Sequence, residues 1–326
     1  MNIIGGLVSL ICPFLVFLLS TTSFAADSYP NKPIKLVIGL AAGSTADARA
    51  RLIAEKASAE LGQKIIVDNR PGASGTIAAE SVAKATPDGY TLLYGLSYEL
   101  AIAPALGQKL PYDPEKSFAP VSGLAIAHAL LFSSSSSGIR TIDDLVAAAK
   151  AKPGKLAYGS SGNASIQHLL GELMSKKLGI ELAHVPYKGN NQVMNDLLGG
   201  HIDLAFDVVG SALPQVKAGK IVPLMAMAPK RSLSFPDTPT ARELGFEGLD
   251  IGTWAGILAP ANTPRDVINK LNGAIVNARR SSAFMKMPGA DDQTDISGPP
   301  DNFAAFMKVE REKLSKLIKT AGITLE

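Results

Sequence analysis

Cysteine is almost missing from this chain of 326 residues: the one copy, Cys12, stands inside an apolar N-terminal stretch from Ile3 to Leu19. Removal of that stretch would leave no thiol, which excludes disulfides, thiolate nucleophiles and thiolate metal sites. A lipid-bearing cysteine would end the stretch instead of sitting within it, so lipidation is not expected. Neither sign of charge dominates, with 32 Lys and Arg against 29 Asp and Glu, and the basic residues form no run that would grip nucleic acid. Histidine is scarce: His128, His168, His184 and His201 contain no H-E-x-x-H pair and no tight cluster of metal-ligand spacing. A G-x-S-x-G elbow is absent, because Ser97 lies in Gly95-Leu96-Ser97-Tyr98-Glu99 without the second glycine. The glycine-containing loops show neither a Gly-Lys-Ser/Thr phosphate cradle nor G-x-G-x-x-G spacing. No metal, cofactor or nucleic acid is therefore expected.

What is present reads as an exported soluble protein. The apolar fraction of 46% and charged fraction of 19% are ordinary, and the length suits two lobes better than one. The N-terminal apolar stretch falls short of the roughly 20 residues of a bilayer span, and Ser23-Phe24-Ala25 supplies a small-x-small cleavage pattern. Cleavage is expected after Ala25, although Met1 and Asn2 give a poor n-region. Residues 1–25 are then a signal peptide, and the periplasm is the expected location.

Strand, short loop and helix alternate along the rest. Ile34 to Ile38, Lys64 to Val67 and Thr91 to Tyr94 read as strands, with helices from about Asp47 to Leu61 and Ile77 to Lys84. A second series starts near His128. Ala129 to Phe132 is apolar, Ser133 to Ser137 reads as a flexible serine tract, and Thr141 with Asp144 fits a capping box opening a helix to Lys150. Strands at Lys155 to Tyr158, Glu181 to Val185, Ile202 to Phe206 and Val222 to Met227 enclose helices at Ile166 to Lys177 and Gln192 to Leu198. Gly252 to Leu258 leads into two more helices, Pro264 to Arg280 and Asn302 to Ala321. This grammar predicts an α/β fold with parallel sheets: residues 26–127 in lobe one, 128–252 in lobe two, and 253–326 returning to lobe one.

Ligands of parallel sheets sit beyond the carboxyl ends of the strands, where loops and helix N-termini offer backbone N–H groups. Ala42-Gly43-Ser44-Thr45 follows the first strand, and Ser160-Ser161-Gly162-Asn163-Ala164-Ser165 follows the strand at Tyr158. Helix capping alone would select the same residues, but one such loop in each lobe suits an anion held by hydroxyls and amides without a basic side chain. Asp207 ends its strand at the same edge; it would repel a bare carboxylate and accept an amine or hydroxyl, and it stands either in the pocket or outside it. Lys188 is either an anion partner or a solvated lysine. Asp47 could serve as a general base, but the helix dipole and i,i+4 pairing with Arg51 explain it more simply; His168 is a structural partner, a pocket-lining residue or a catalytic one, the first ahead of the others, and Trp254 either packs in the core, the leading reading, or covers a ligand. Tyr98 either covers a ligand or packs in the core.

The ordered motifs resemble those of the Bug-type receptors, the periplasmic substrate-binding proteins of tripartite tricarboxylate transporters. The resemblance rests on Tyr29-Pro30-Asn31-Lys32-Pro33-Ile34, Asn69-Arg70-Pro71-Gly72-Ala73, Pro87-Asp88-Gly89-Tyr90-Thr91-Leu92-Leu93, Leu110-Pro111-Tyr112-Asp113-Pro114, His184-Val185-Pro186-Tyr187-Lys188-Gly189 and Ala259-Pro260-Ala261-Asn262-Thr263-Pro264, and spans the mature chain. It implies a type II two-lobed binding-protein fold that closes as a monomer on a small organic acid and passes it to a membrane permease, without catalysis. By position the first-lobe role falls on Ala42, Gly43 and Ser44, with Ser74, Gly75 and Thr76 assisting and Ser97 and Tyr98 in the third loop. The second-lobe role falls on Ser161, Asn163, Ser165 and Asp207. Ser44, Tyr98 and Ala164 each replace a residue that is commonly glycine or small in the family, so the family name does not specify the acid. An enzyme using the same cleft would need an acid/base or nucleophile pair, which the sequence does not offer; a ligand-responsive sensor would share the fold.

Overall fold

The computed structural model describes residues 29–163 and 165–321. The expected signal segment and Ala164 lie outside them. β1 (Ile34–Ile38) ends at Gly39, and α1 (Thr45–Leu61) starts on Ser44, whose hydroxyl accepts from Asp47 N at 3.1 Å. β2 (Ile65–Asn69), α2 (Thr76–Ala83) and β3 (Thr91–Leu96) repeat the unit. A π-helical turn, Tyr98–Ile102, runs into the short α3 (Ala103–Ala105). There follow β4 (Phe118–Ser134), α4 (Ile142–Ala151), β5 (Ala157–Ser160), α5 (Ile166–Leu178), β6 (Ala183–Pro186) and α6 (Asn190–Gly199). Then come β7 (Leu204–Val208), α7 (Val209–Lys217) and β8 (Ile221–Ala226). The chain returns through β9 (Gly252–Pro260), α8 (Arg265–Arg280), α9 (Ser282–Met285) and β10 (Thr294–Asp295) to α10 (Pro300–Ala321).

Strand order is β2-β1-β3-β9-β4-β7-β5-β6, with β8 and β10 also on β4. β1 is parallel to β2 and β3, and β5 to β6 and β7. The expectation of parallel sheets fails at the join. There β9 runs antiparallel to β3 and β4, and β4 antiparallel to β7 and β8. β4 is the shared strand: Phe118 to His128 pairs with β9, and Ala129 onward pairs with β7 and β8. Its first part escaped the sequence reading because Pro120 and Gly123 interrupt the apolar alternation, at register shifts between Pro120 and Ser122 and between Gly123 and Ala125. α7 escaped it because Gly210 and Pro214 weaken the helical signal.

The serine tract forms strand and turn. Ser133 and Ser134 are buried in β4, with Ser133 Oγ donating to Ile139 O at 2.7 Å, and Ser137 Oγ donates to Ser134 O at 2.8 Å across a 3₁₀ turn. Hydroxyls that bond their own backbone make a turn where composition alone suggested a flexible tract. The capping box forms: Asp144 N donates to Thr141 Oγ1 at 3.1 Å and Thr141 N to Asp144 Oδ2 at 2.9 Å.

β1 sends apolar side chains to both faces, with Lys35 its one exposed residue. Ile34, Leu36 and Ile38 enter one core with Ala50, Ile53 and Leu271 of α1 and α8, whereas Val37 enters another with Ala78 and Val82 of α2. That second core also takes Leu131, Leu170 and Phe206 of the other lobe together with Phe303, Met307 and Leu314 of α10. The C-terminal helix packs on the π-turn, α3 and α8 and also on β4 and α5. Trp254 is 1% exposed and edge-on to Phe303 and Phe306, a core residue and not a ligand cover. Gly256 beneath it is obligatory, since a Cβ there would lie 2.0 Å from Phe303 Cζ.

Candidate ligand site

The loop after β1 is shaped by Asp47. Its Oδ2 accepts from Gly43 N at 2.9 Å and from Arg51 Nε at 3.0 Å, and its Oδ1 from Asn69 Nδ2 at 2.8 Å. Asn69 Nδ2 also reaches Leu40 O at 3.0 Å, and Arg51 Nη2 donates to Asn69 Oδ1 at 2.7 Å. Burial works to raise the Asp47 carboxyl, yet the hydrogen bonds from Arg51, Asn69 and Gly43 hold it below the usual carboxylate range. The i,i+4 pair read from the sequence is present, but Asp47 also fixes the turn. Gly43 adopts φ 82° with open space around it, Ala42 and Gly43 are exposed, and Ser44 is half-buried. Because Ser44 Oγ accepts the cap bond, its proton stays free to donate. Asn69 was missed as a site residue; its place at the head of the Asn-Arg-Pro-Gly turn was the only sequence signal.

The loop after β2 is unusual in its backbone. Ala73, Ser74 and Gly75 take φ 45°, 51° and 96° in succession, and non-glycine residues rarely enter this region. Gly75 N donates to Gly72 O at 3.0 Å, and Thr76 directs both its N–H and its hydroxyl to Ala73 O, so these two predicted residues spend their donors within the turn. Ser74 is exposed. The loop packs against its neighbour so tightly that a Cβ on Gly39 would meet Gly75 Cα at 2.4 Å.

The third loop enters the π-turn. Ser97 is 1% exposed and its hydroxyl has no partner among the described residues. The Tyr98 ring is half-buried against the larger core; burial raises its pKa, and the Ser74 side chain alongside offsets only part of that rise. Glu99 is fully buried and accepts from Leu96 N at 2.7 Å.

In the second lobe, Ser165 caps α5 by accepting from His168 N at 3.3 Å, which again leaves the hydroxyl proton free. Ser161 Oγ instead donates to Gln167 Oε1 at 3.0 Å, and Gln167 Nε2 donates to Asn190 Oδ1 at 3.0 Å. Gln167 and Asn190, missed in the sequence, thereby tie the N-terminal ends of α5 and α6. Asn163 is exposed. Behind the loop the His168 and His184 rings stack at 4.0 Å with 2° between planes, Tyr158 stacks on His184 at 5.0 Å, and His184 Nε2 lies 2.7 Å from Ser160 Oγ. Burial, and then His168 alongside, push His184 down to about 4. Asp207 is buried at the end of β7, with Oδ1 accepting from Val208 N at 2.7 Å; burial pushes its carboxyl up to about 6 in spite of Ser211 and Val208. Lys188 is exposed, with its N–H on Gln192 Oε1 at 3.0 Å.

Two shallow crevices near His128 are lined by residues such as Arg49, Val209, Leu233 and Asp292, and neither includes a predicted ligand residue. No group of three His, Cys, Asp or Glu among the described residues is placed to hold a metal, and no described helix is long and apolar enough to cross a membrane.

Residues 49–323 match the sequence profile of the family described as the tripartite tricarboxylate transporter family receptor. A UPF0065 protein of Bordetella bronchiseptica is 36% identical over 318 residues, 96% of this chain and 92% of that protein. BugT of Bordetella pertussis is 31% identical, with 93% of each chain covered. Among solved structures, an R. palustris protein with adipate superposes with a TM-score of 0.84 at 33% identity, covering 91% of this chain and 99% of that one. MatC from Rhodopseudomonas palustris with bound malate gives 0.79 at 30%, covering 89% and 100%. The periplasmic binding protein BugD gives 0.82 at 30%, covering 91% and 100%. The fold is thus the two-lobed type II fold of periplasmic binding proteins, with its cleft between the lobes.

Proposed function

The chain belongs to the tripartite tricarboxylate transporter receptor family, and we propose that after export to the periplasm it captures a small organic carboxylate between its lobes and hands it unchanged to a membrane permease. The observation that carries this reading is a matched pair of hydroxyls. Ser44 and Ser165 cap α1 and α5, each accepts a helix N–H, and each keeps a proton to donate toward an anion at a helix N-terminus. Arg51 on α1 is committed to Asp47 and Asn69, which leaves hydroxyls and amides to hold the carboxylate. The malate and adipate bound by relatives support the ligand class.

Ser74, Ser97, Tyr98, Asn163 and Ser161 complete the lining in this proposal. Asp207, with its raised pKa, faces a donor on the ligand. Gly75 and Thr76 act by holding the loop. The lobes divide where β4 changes partners, near residue 128, and again near 252. The receptor works as a monomer by hinged closure, which shifts an open and closed population in favour of the closed form as ligand binds. Titration calorimetry with a panel of mono-, di- and tricarboxylates, followed by mass analysis of the recovered ligand, tests it. Saturable binding of an acid returned intact is expected; protein-dependent conversion of the acid would overturn it.

A further inference from the structure

Resting on that reading, we propose that Glu99 is a positioning residue of the ligand site, a buried acid that locks the loops after β2 and β3 together and must keep its proton for a carboxylate to bind above it. The geometry is specific. Glu99 is 0% exposed, and its Oε1 accepts from Leu96 N at 2.7 Å. Its Oε2 is buried with no partner and faces Gly75, where a Cβ would come within 3.0 Å of it. Gly75 in turn is pressed on Gly39, so Glu99, the loop after β2 and the loop after β1 form one stack. Tyr98, adjacent in the π-turn, lies close enough to the Ser74 side chain of the same loop for that group to act on its pKa.

An ionised carboxyl at this place would leave a negative oxygen unpaired beneath a loop proposed to hold a second carboxylate, and both burial and like charge oppose that. The neutral acid meets neither penalty. Its surroundings offer no compensation. The titratable groups facing it are Tyr98 and Tyr112, whose hydroxyl donates to Glu99 O at 2.9 Å, and Glu80 of α2 acts only on Tyr112. From α10, Phe303, Met307 and Leu314 share the apolar cluster of the π-turn, while Arg311 turns to Glu115 at 3.1 Å. Burial accordingly pushes Glu99 up to about 8, with the Leu96 and Glu99 N–H groups pulling weakly against it. Gln at this position keeps the shape and neutrality but cannot ionise; Leu keeps neither hydrogen-bonding end.

The test compares wild type, Glu99→Gln and Glu99→Leu by calorimetry with adipate and malate from about pH 6 to about pH 9.5, alongside ligand-free thermal unfolding over the same range. For whichever acid binds, wild-type affinity should fall by up to about tenfold per pH unit above about 8, Glu99→Gln should lose that alkaline limb, and Glu99→Leu should bind more weakly at every pH. Parallel pH profiles for wild type and Glu99→Gln overturn the proposal. If neither acid binds any of the proteins, it is the carboxylate reading that is in trouble. The unfolding data still decide on Glu99, because wild-type stability should fall relative to Glu99→Gln between about pH 6 and about pH 8, and a constant difference would refute the retained proton.

Discussion

Replacing Asp47 by Asn probes the clamp under the first ligand loop. The carboxylate accepts from Asn69, Gly43 and Arg51 at 2.8, 2.9 and 3.0 Å. Asn keeps one acceptor oxygen but turns an NH₂ toward a donor, so one bond is lost and the others become neutral. A charge-assisted bond contributes about 1.5–3 kcal/mol against about 0.5–1.5 for a neutral one. For Gly43 and Asn69 together the loss is about 2 kcal/mol. The Arg51 pair is half exposed on its cationic side and adds at most about 0.5 kcal/mol. Loss of negative charge in the first turn of α1 adds about 0.5 kcal/mol. The expected destabilisation is therefore about 3 kcal/mol at neutral pH, read by urea unfolding. Since the folded-state pKa of Asp47 is depressed, its contribution is present above the unfolded value of about 3.9 and is lost as pH falls through the folded one. The gap between the proteins should therefore narrow under acid conditions. Ligand affinity should drop about tenfold or more with Gly43 no longer fixed beside Ser44. A change below about 0.5 kcal/mol with unaltered affinity would refute the clamp.

Ser165→Ala should remove the α5 cap bond, costing about 1 kcal/mol of stability, and weaken ligand binding by about tenfold to a hundredfold. Unfolding and calorimetry on the same sample separate these effects, and lost stability with intact affinity would leave Ser165 as a cap only. Asp207, raised to about 6, gives stability that is complete below about 3.8 and is lost as pH rises through about 6. Asp207→Asn should abolish that slope, worth on the order of 2–3 kcal/mol, in unfolding followed across the acid range; identical slopes would show that Asp207 ionises freely. Gly256→Ala should unfold or severely destabilise the protein, by about 3 kcal/mol or more, because Phe303 has no room to retreat in a closed core. Wild-type thermal stability for that variant would contradict the packing.

Much of the frame was legible because local and global signals agree in it. β1 was read at its observed bounds, since an apolar run stopped by Gly39 has one reading, and α5 begins where Ser165 announces a cap. β4 was half lost because Pro120 and Gly123 sit at irregularities that only pairing with β9 makes tolerable. The predicted loops do stand at the carboxyl ends of β1, β2, β3, β5 and β7. Their supports did not show in the sequence: Asn69, Gln167 and Asn190 are ordinary polar residues until folding brings Asp47 and Ser161 to them. The direction of Glu99 is open in the sequence. Only the π-turn, which rotates it under Gly75, makes it a buried acid.

The most direct test is a crystal structure of the protein with the acid that calorimetry selects. The expected result is a carboxylate whose oxygens lie about 2.7–3.0 Å from the Ser44 and Ser165 hydroxyls, with the two capped helix ends turned toward it and Glu99 still buried behind Gly75. An acid bound elsewhere, for instance in the crevice between His128 and Asp292, with Ser44 and Ser165 serving only their helices, would contradict it.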